Sequence, residues 1–340
     1  MREGGNILRT KNTWGFVILI ALAFSSWMFA SANDHSPRRD NSTVVIETAH
    51  QTELKPHTHA DGDAVADIGH HVMLESTIFI TPRDLYVSEI GFEIVNAPNV
   101  VLHHASLIDL SRPNLTCPNL TNWKELFVYG SDRMYDSSLS FPKGYAVIIP
   151  KGSPLKLVLM IHNPEPPLGP GGTYNDVYSR ITLRETSEDR AHIIPLEPNM
   201  LHLDDVDMTC SNKNPDLSDF YTFTVPPKKV GYVFSGTGET DRAASIHFAL
   251  SGTLFDLAGH LHGWQGGKEL IVKKNREVLH VFKTELSTTT PYIYETRHIT
   301  EPIHIDAGDT ISISAKYDNP HVVATRGVMG ISGFYFAQDK

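Results

Sequence analysis

Cysteine is nearly absent: Cys117 and Cys210 are the only two in 340 residues. At most one intrachain disulfide can form, so the fold cannot rest on a cystine framework. Basic residues are also in deficit, with 29 Lys and Arg against 39 Asp and Glu and a formal net charge of -10. That balance excludes the basic footprint a nucleic-acid surface needs and suits a soluble exported protein. No G-x-S-x-G elbow and no cysteine in a nucleophile setting occurs, which removes the usual hydrolase signatures. "GTGET" at 236 to 240 has no lysine after a glycine at phosphate-loop spacing and no helix behind it. Long amphipathic helical patterns are missing as well.

What is present begins with an N-terminal segment of export type. Arg2, Arg9 and Lys11 precede an apolar run from Trp14 to Phe24, and "FASAN" offers a small-x-small site ending at Ala32. This predicts a secretory signal peptide over residues 1–32, with an uncleaved anchor over 14–30 as the alternative, since 17 residues lie at the short edge of a membrane span. Either places the rest outside the cytoplasm, at the periplasm, cell surface or beyond. Residues 33–70 are polar and hold His35, His50, His57, His59 and His70 among Asp, Thr and Pro, which predicts a linker or disordered arm with no assigned site.

From His71 the texture changes to short runs rich in Val, Ile, Leu, Phe and Thr, each closed by Pro, Gly, Asn or Asp: "VMLESTIFI", "LYVSEIGFEIV", "VVLHHASLI", "YAVIIP", "LKLVLMIH" and "SRITLRE". After a polar junction, "TSEDR", a second set follows, including "AASIHFALSGTL", "ELIVKK", "EVLHVFKT" and "GISGFYFA". Regularly spaced strands in two blocks predict an all-β chain of two antiparallel β-sandwich domains, residues 71–187 and 188–340.

The residues with chemistry are histidines. In "AGHLHGWQGG", residues 258 to 267, His260 and His262 stand two apart. On a strand they share one face while Leu261 turns to the other, an arrangement that can grip a metal. With 18 histidines in the chain, one such pair proves little. Three more places add to it: adjacent His103 and His104 in "VVLHHASLI", His162 closing "LKLVLMIH", and Met329 in "TRGVMGISGFYF". Neighbouring histidines on a regular strand face opposite ways, so both can reach one metal only where the strand bulges or ends, or where different ring nitrogens are used. The first block thus offers three nitrogens, and the second two nitrogens and a thioether. No Asp or Glu stands at ligand spacing, which argues against Mg or Ca, and soft thioether sulfur points to copper. Zinc suits a three-histidine site but gives no reason for a methionine.

In this order, an HH pair, a lone His after "VLMI", an H-x-H pair and a Met before a final aromatic strand, the sequence resembles the copper type II, ascorbate-dependent monooxygenases. That family includes the peptidylglycine α-hydroxylating and dopamine β-monooxygenases. "FPKGYAVIIPKGSPLKLVLMIHNP" and "PIHIDAGDTISISAKYD" resemble family passages too, and the likeness covers roughly residues 72–338. The resemblance implies two jelly-roll-like domains carrying one copper each. His103, His104 and His162 would hold an electron-transfer copper, and His260, His262 and Met329 the catalytic copper that meets dioxygen and hydroxylates an aliphatic C–H, with ascorbate or a similar donor as reductant. Ala258, Ile331 and Gly333 stand where peptide-hydroxylating members keep substrate-binding Arg, Asn and Tyr. The expected substrate is therefore a small molecule other than a peptidyl-glycine.

"AGHLHGWQGGKELIV" and "YDNPHVVATRGVMGISGFYF" are similar also to the exported stress-induced nodulin-like proteins. That likeness leaves a non-catalytic copper-binding protein for storage or delivery, or a nodulin-like module, as the alternative, and His162 is the residue that favours the redox reading. Trp264 and Gln265 read either as packing or as cleft lining, and Asp306 and Asp309 as turn formers.

Overall fold

The computed structural model describes residues 43–57, 72–112, 124–130, 137–163, 165–166, 169–203, 223–236, 244–286 and 294–340. Residues 1–32, predicted to be an export segment, and Cys117 and Cys210 lie outside these. The described chain is an all-β sandwich structure, with short 3-10 turns such as Asn99–Val101 and Gly263–Gln265 between strands. Among the described residues no helix is long and apolar enough to cross a membrane.

A ten-stranded sheet organises the molecule. Its main path runs through Thr43–Glu47, Tyr174–Glu185, Leu85–Val95, Tyr145–Ile149, Ile194–His202, Gly330–Gln338, Gly252–Leu261 and Ile303–Ile305. All its pairings are antiparallel except that of Tyr145–Ile149 with Ile194–His202. A five-stranded sheet containing Pro154–Ile161, Leu102–Asp109 and Lys124–Gly130 supplies the other layer of the first sandwich, and one containing Thr310–Asn319, Gly267–Lys274 and Glu277–Lys283 that of the second. Strand alternation sorts the residues: Leu85 and Val87 enter one core, Leu270 and Val272 the other.

Two expectations about organisation change. Residues 33–70 are not a linker throughout, because Thr43–Glu47 and Gln51–Leu54 both pair with Tyr174–Glu185 and bury Ile46 and Leu54 in the first core. The apolar signal in "TVVIE" is only three residues long, and the partner that makes it a strand lies some 130 residues away.

The boundary at residue 187 is not a break between separate sheets. Ile194–His202 pairs with Tyr145–Ile149 on one side and Gly330–Gln338 on the other, so one sheet passes through both blocks. Residues 39–340 accordingly form one compact unit. The first core even takes Phe255, Ala258, Met329, Ile331 and Tyr335 from the second block. A polar junction such as "TSEDR" marks a turn, here capped by the Asp189 side chain accepting from Ala191 N at 3.1 Å, but it cannot reveal whether strands on its two sides share hydrogen bonds.

Candidate metal centre

His103 lies at an irregularity in the strand Leu102–Asp109. Leu102 pairs with Ile161 and His104 with Met160, so His103 is the extra residue of a bulge. A bulge re-aims the side chain it carries and lets neighbours on one strand share a side. The rings of His103 and His104 come to 4.8 Å between centroids, while Ala105 and Leu107 enter the first core.

His260 and His262 are placed by the strand Gly252–Leu261 and the turn after it. Leu257 and Leu261 enter the second core and Ala258 the first. His260 therefore shares the face of Ala258, opposite Leu261, as strand alternation predicts. His262 follows the last strand residue and caps the turn Gly263–Gln265, which closes through Gly266 at φ +92°. An added Cβ at Gly266 would stand 2.1 Å from the Asp318 carbonyl oxygen. Only glycine permits both the left-handed backbone and that approach. The Tyr317 hydroxyl accepts from His262 N at 3.2 Å and donates to the Met329 carbonyl, tying the turn to the strand Thr310–Asn319 and to the residue that precedes Gly330–Gln338.

The three imidazoles meet although 159 residues separate His103 from His262. The Nε2 atoms of His103 and His262 are 2.8 Å apart, and one nitrogen from each of His103, His260 and His262 lies within 4.8 Å of the others. All three side chains are buried, at 4, 3 and 2 % exposure. Two outer contacts orient the rings. His262 Nδ1 makes a short hydrogen bond with Gln265 Oε1, and Trp264 stacks on His262 at 4.4 Å. With Nδ1–H donated to the amide oxygen, Nε2 of His262 keeps its lone pair for a ligand, the arrangement by which outer partners set a ligating tautomer. On the other side, His103 Nδ1 stands 3.0 Å from Met160 Sδ.

The donor set fits a borderline or soft transition ion. In a tetrahedral site with metal–nitrogen bonds of 2.0–2.1 Å, ligand nitrogens stand about 3.3 Å apart, and the spacing in the cluster brackets that edge. No carboxylate belongs to the group, which disfavours Mg and Ca.

The residues expected at two sites are thus regrouped. His103 joins His260 and His262 instead of joining His162. His104 borders the cluster, with its ring 6.3 Å from that of His260. His162 faces His57, with Nε2 atoms 3.1 Å apart. Met329 is 4 % exposed and buried in the first core, and Met160 Sδ stands at His103 Nδ1, on the ring edge away from His262. Met160 is the contributor that sequence reasoning did not single out, and Gln265, read there as packing or cleft lining, proves to orient His262. Met160 sits in the "VLMIH" run beside His162 and reads there as ordinary core; its pairing opposite His104 is the signal, and that needs the strand register.

No family model matches the chain, and no curated protein matches it. Among solved structures it is similar to the major capsid protein P2 of bacteriophage PM2, at 8% identity over 88% of this chain and 98% of that one, with a TM-score of 0.25. A fucolectin from striped bass (Morone saxatilis) serum aligns at 8% identity over 86% and 96%, with a TM-score of 0.18. Dimeric latent PorU of Porphyromonas gingivalis aligns at 9% identity over 75% of this chain but 24% of its own, with a TM-score of 0.18. At such scores these likenesses carry no argument about function.

Proposed function

We propose that the chain is an exported copper protein with a histidine centre between its two sandwiches, working as a monooxygenase on a small substrate with dioxygen and an ascorbate-like reductant. The observation that carries the copper reading is the approach of His103 and His262 to 2.8 Å beside His260, three imidazoles from distant parts of the chain buried together. Met160 Sδ lies against His103 Nδ1, the ring edge turned away from His262, so it orients the imidazole and is not a donor to the ion. The monooxygenase reading rests in addition on the sequence resemblance. Bound copper would supply one-electron chemistry toward dioxygen. The chain's own part is to hold three nitrogens in place, fix the His262 tautomer through Gln265, and exclude bulk water by burial.

This centre gathers His103, His260 and His262 from the expected ligands, and the proposal therefore requires one copper there. The test is copper per chain after anaerobic loading with ascorbate, followed by oxygen uptake. His260→Ala should lose that copper and the substrate-dependent uptake together. Copper content unchanged in His260→Ala and in His103→Ala would overturn the reading.

Storage or delivery is the second reading, and the depth of burial favours it, since a centre only 2 to 4 % exposed is built to retain an ion. Loaded protein that takes up no oxygen with ascorbate, yet hands copper to a chelator or acceptor protein, would decide for it.

A further inference from the structure

His57 belongs to the polar arm predicted to be free of structure, and the fold instead places its ring against His162. The two Nε2 atoms are 3.1 Å apart, with ring centroids at 4.8 Å and planes inclined by 47°. Both side chains are partly exposed, unlike the buried triad.

The backbone on each side is clamped. His57 N donates to Asn163 O at 3.0 Å, Glu165 N donates to His57 O at 3.0 Å, and His162 N donates to Val101 O at 2.8 Å. Asn163, only 1 % exposed, donates from its side chain to Leu54 O and Gly172 O, locking the arm to the segment that follows His162. The entropy of bringing two imidazoles together is thus already spent in folding.

We propose that His57 and His162 form a second, solvent-accessible site for a borderline divalent cation such as Zn, Co or Cu(II). Two metal–nitrogen bonds of 2.0–2.1 Å enclosing about 100° put the nitrogens about 3.1 Å apart, which is the spacing found. Linear two-coordinate binding would need about 4 Å, so the geometry selects an angular site over a linear one. Coupling the arm to Asn163 makes a bound ion a staple between residues 55–57 and 162–165. The site stands independently of the copper proposal, because neither His57 nor His162 belongs to the buried triad.

The test titrates Co(II) into the full chain, counting tightly bound equivalents by equilibrium dialysis and reading the visible ligand-field bands. His57→Ala and His162→Ala should each remove the same one equivalent, leaving a His103→Ala-sensitive equivalent in place. His57→Gln is made in parallel, because it keeps a hydrogen-bonding group opposite His162 should the alanine variant melt early. His50→Ala is the control: His50 is an exposed arm histidine engaged with Asp176 at 2.7 Å and stacked on Tyr178. Unchanged stoichiometry in His57→Ala or His57→Gln would overturn the site, leaving the pair a hydrogen bond only. Equal loss in His50→Ala would overturn it too, as adventitious binding. Loss in His103→Ala alone would leave the copper proposal intact and this one refuted.

Discussion

Asp256 offers a perturbation whose size can be worked from its surroundings. It occupies the irregularity between Phe255 and Ala258 on the strand that carries His260, with φ +52° and 6 % exposure. Burial pushes its carboxyl up from 3.8 to about 6. Nearby Tyr335 is fully buried, and its phenol is pushed up as well, by burial first and by the Asp256 charge second. A raised acid pKa means the folded state holds the proton more tightly than the unfolded state. Between about pH 4 and pH 6 the folded chain therefore carries more protons, and stability falls as pH rises through that window. Above the folded pKa the penalty is complete, about 3 kcal/mol for two units at 1.36 kcal/mol each.

Asp256→Asn removes the charge, keeps the shape and tolerates the left-handed backbone. The variant should gain about 1–3 kcal/mol at pH 7.5, the lower end allowing for an amide that hydrogen-bonds imperfectly in the bulge. The gain should vanish below pH 4, where wild-type Asp256 is protonated. Urea denaturation at pH 7.5, 6, 5 and 4 reads the difference directly. A difference independent of pH, or a variant weaker than wild type at pH 7.5, would refute the buried-carboxylate account.

Three further outcomes follow from particular residues. Gly266→Ala must force a Cβ to 2.1 Å from the Asp318 carbonyl in a left-handed conformation, so it should lose at least about 2 kcal/mol in denaturant and weaken metal binding by displacing His262; full retention of both would contradict the turn geometry. Trp264 stacks on His262, so Cu(II) loading should quench its emission, and Trp264→Phe should abolish most of that quenching; equal quenching in the variant would place the ion elsewhere. Ile46→Ala should destabilise by about 2–5 kcal/mol in chemical unfolding, because this arm residue is buried in the first core; a change under about 0.5 kcal/mol would return the arm to the status of a linker.

Much was legible from local pattern. Alternating apolar runs closed by turn residues announce strands, because burial on one sheet face imposes a period of two on any sequence. His260 facing away from Leu261 follows from the same rule, and the histidine pair at 103 and 104 already called for a bulge, a strand end or different ring nitrogens if both were to reach one metal. Composition likewise excluded a cystine framework without reference to any partner.

Tertiary structure decided what local pattern cannot encode, which is pairing. The same "LHH" reads identically whether His103 turns toward His162 or toward His262, and the choice was made by the bulge opposite Met160 and by the strand order of a sheet that runs through both halves. The apolar content of "TVVIE" became a strand only because Tyr174–Glu185 offered an edge, and His57 met His162 because its backbone found partners at Asn163 and Glu165. Hydrophobic alternation specifies the face a side chain takes. Which distant side chain shares that face depends on register and topology, and these are settled only by the free energy of the whole packed sheet.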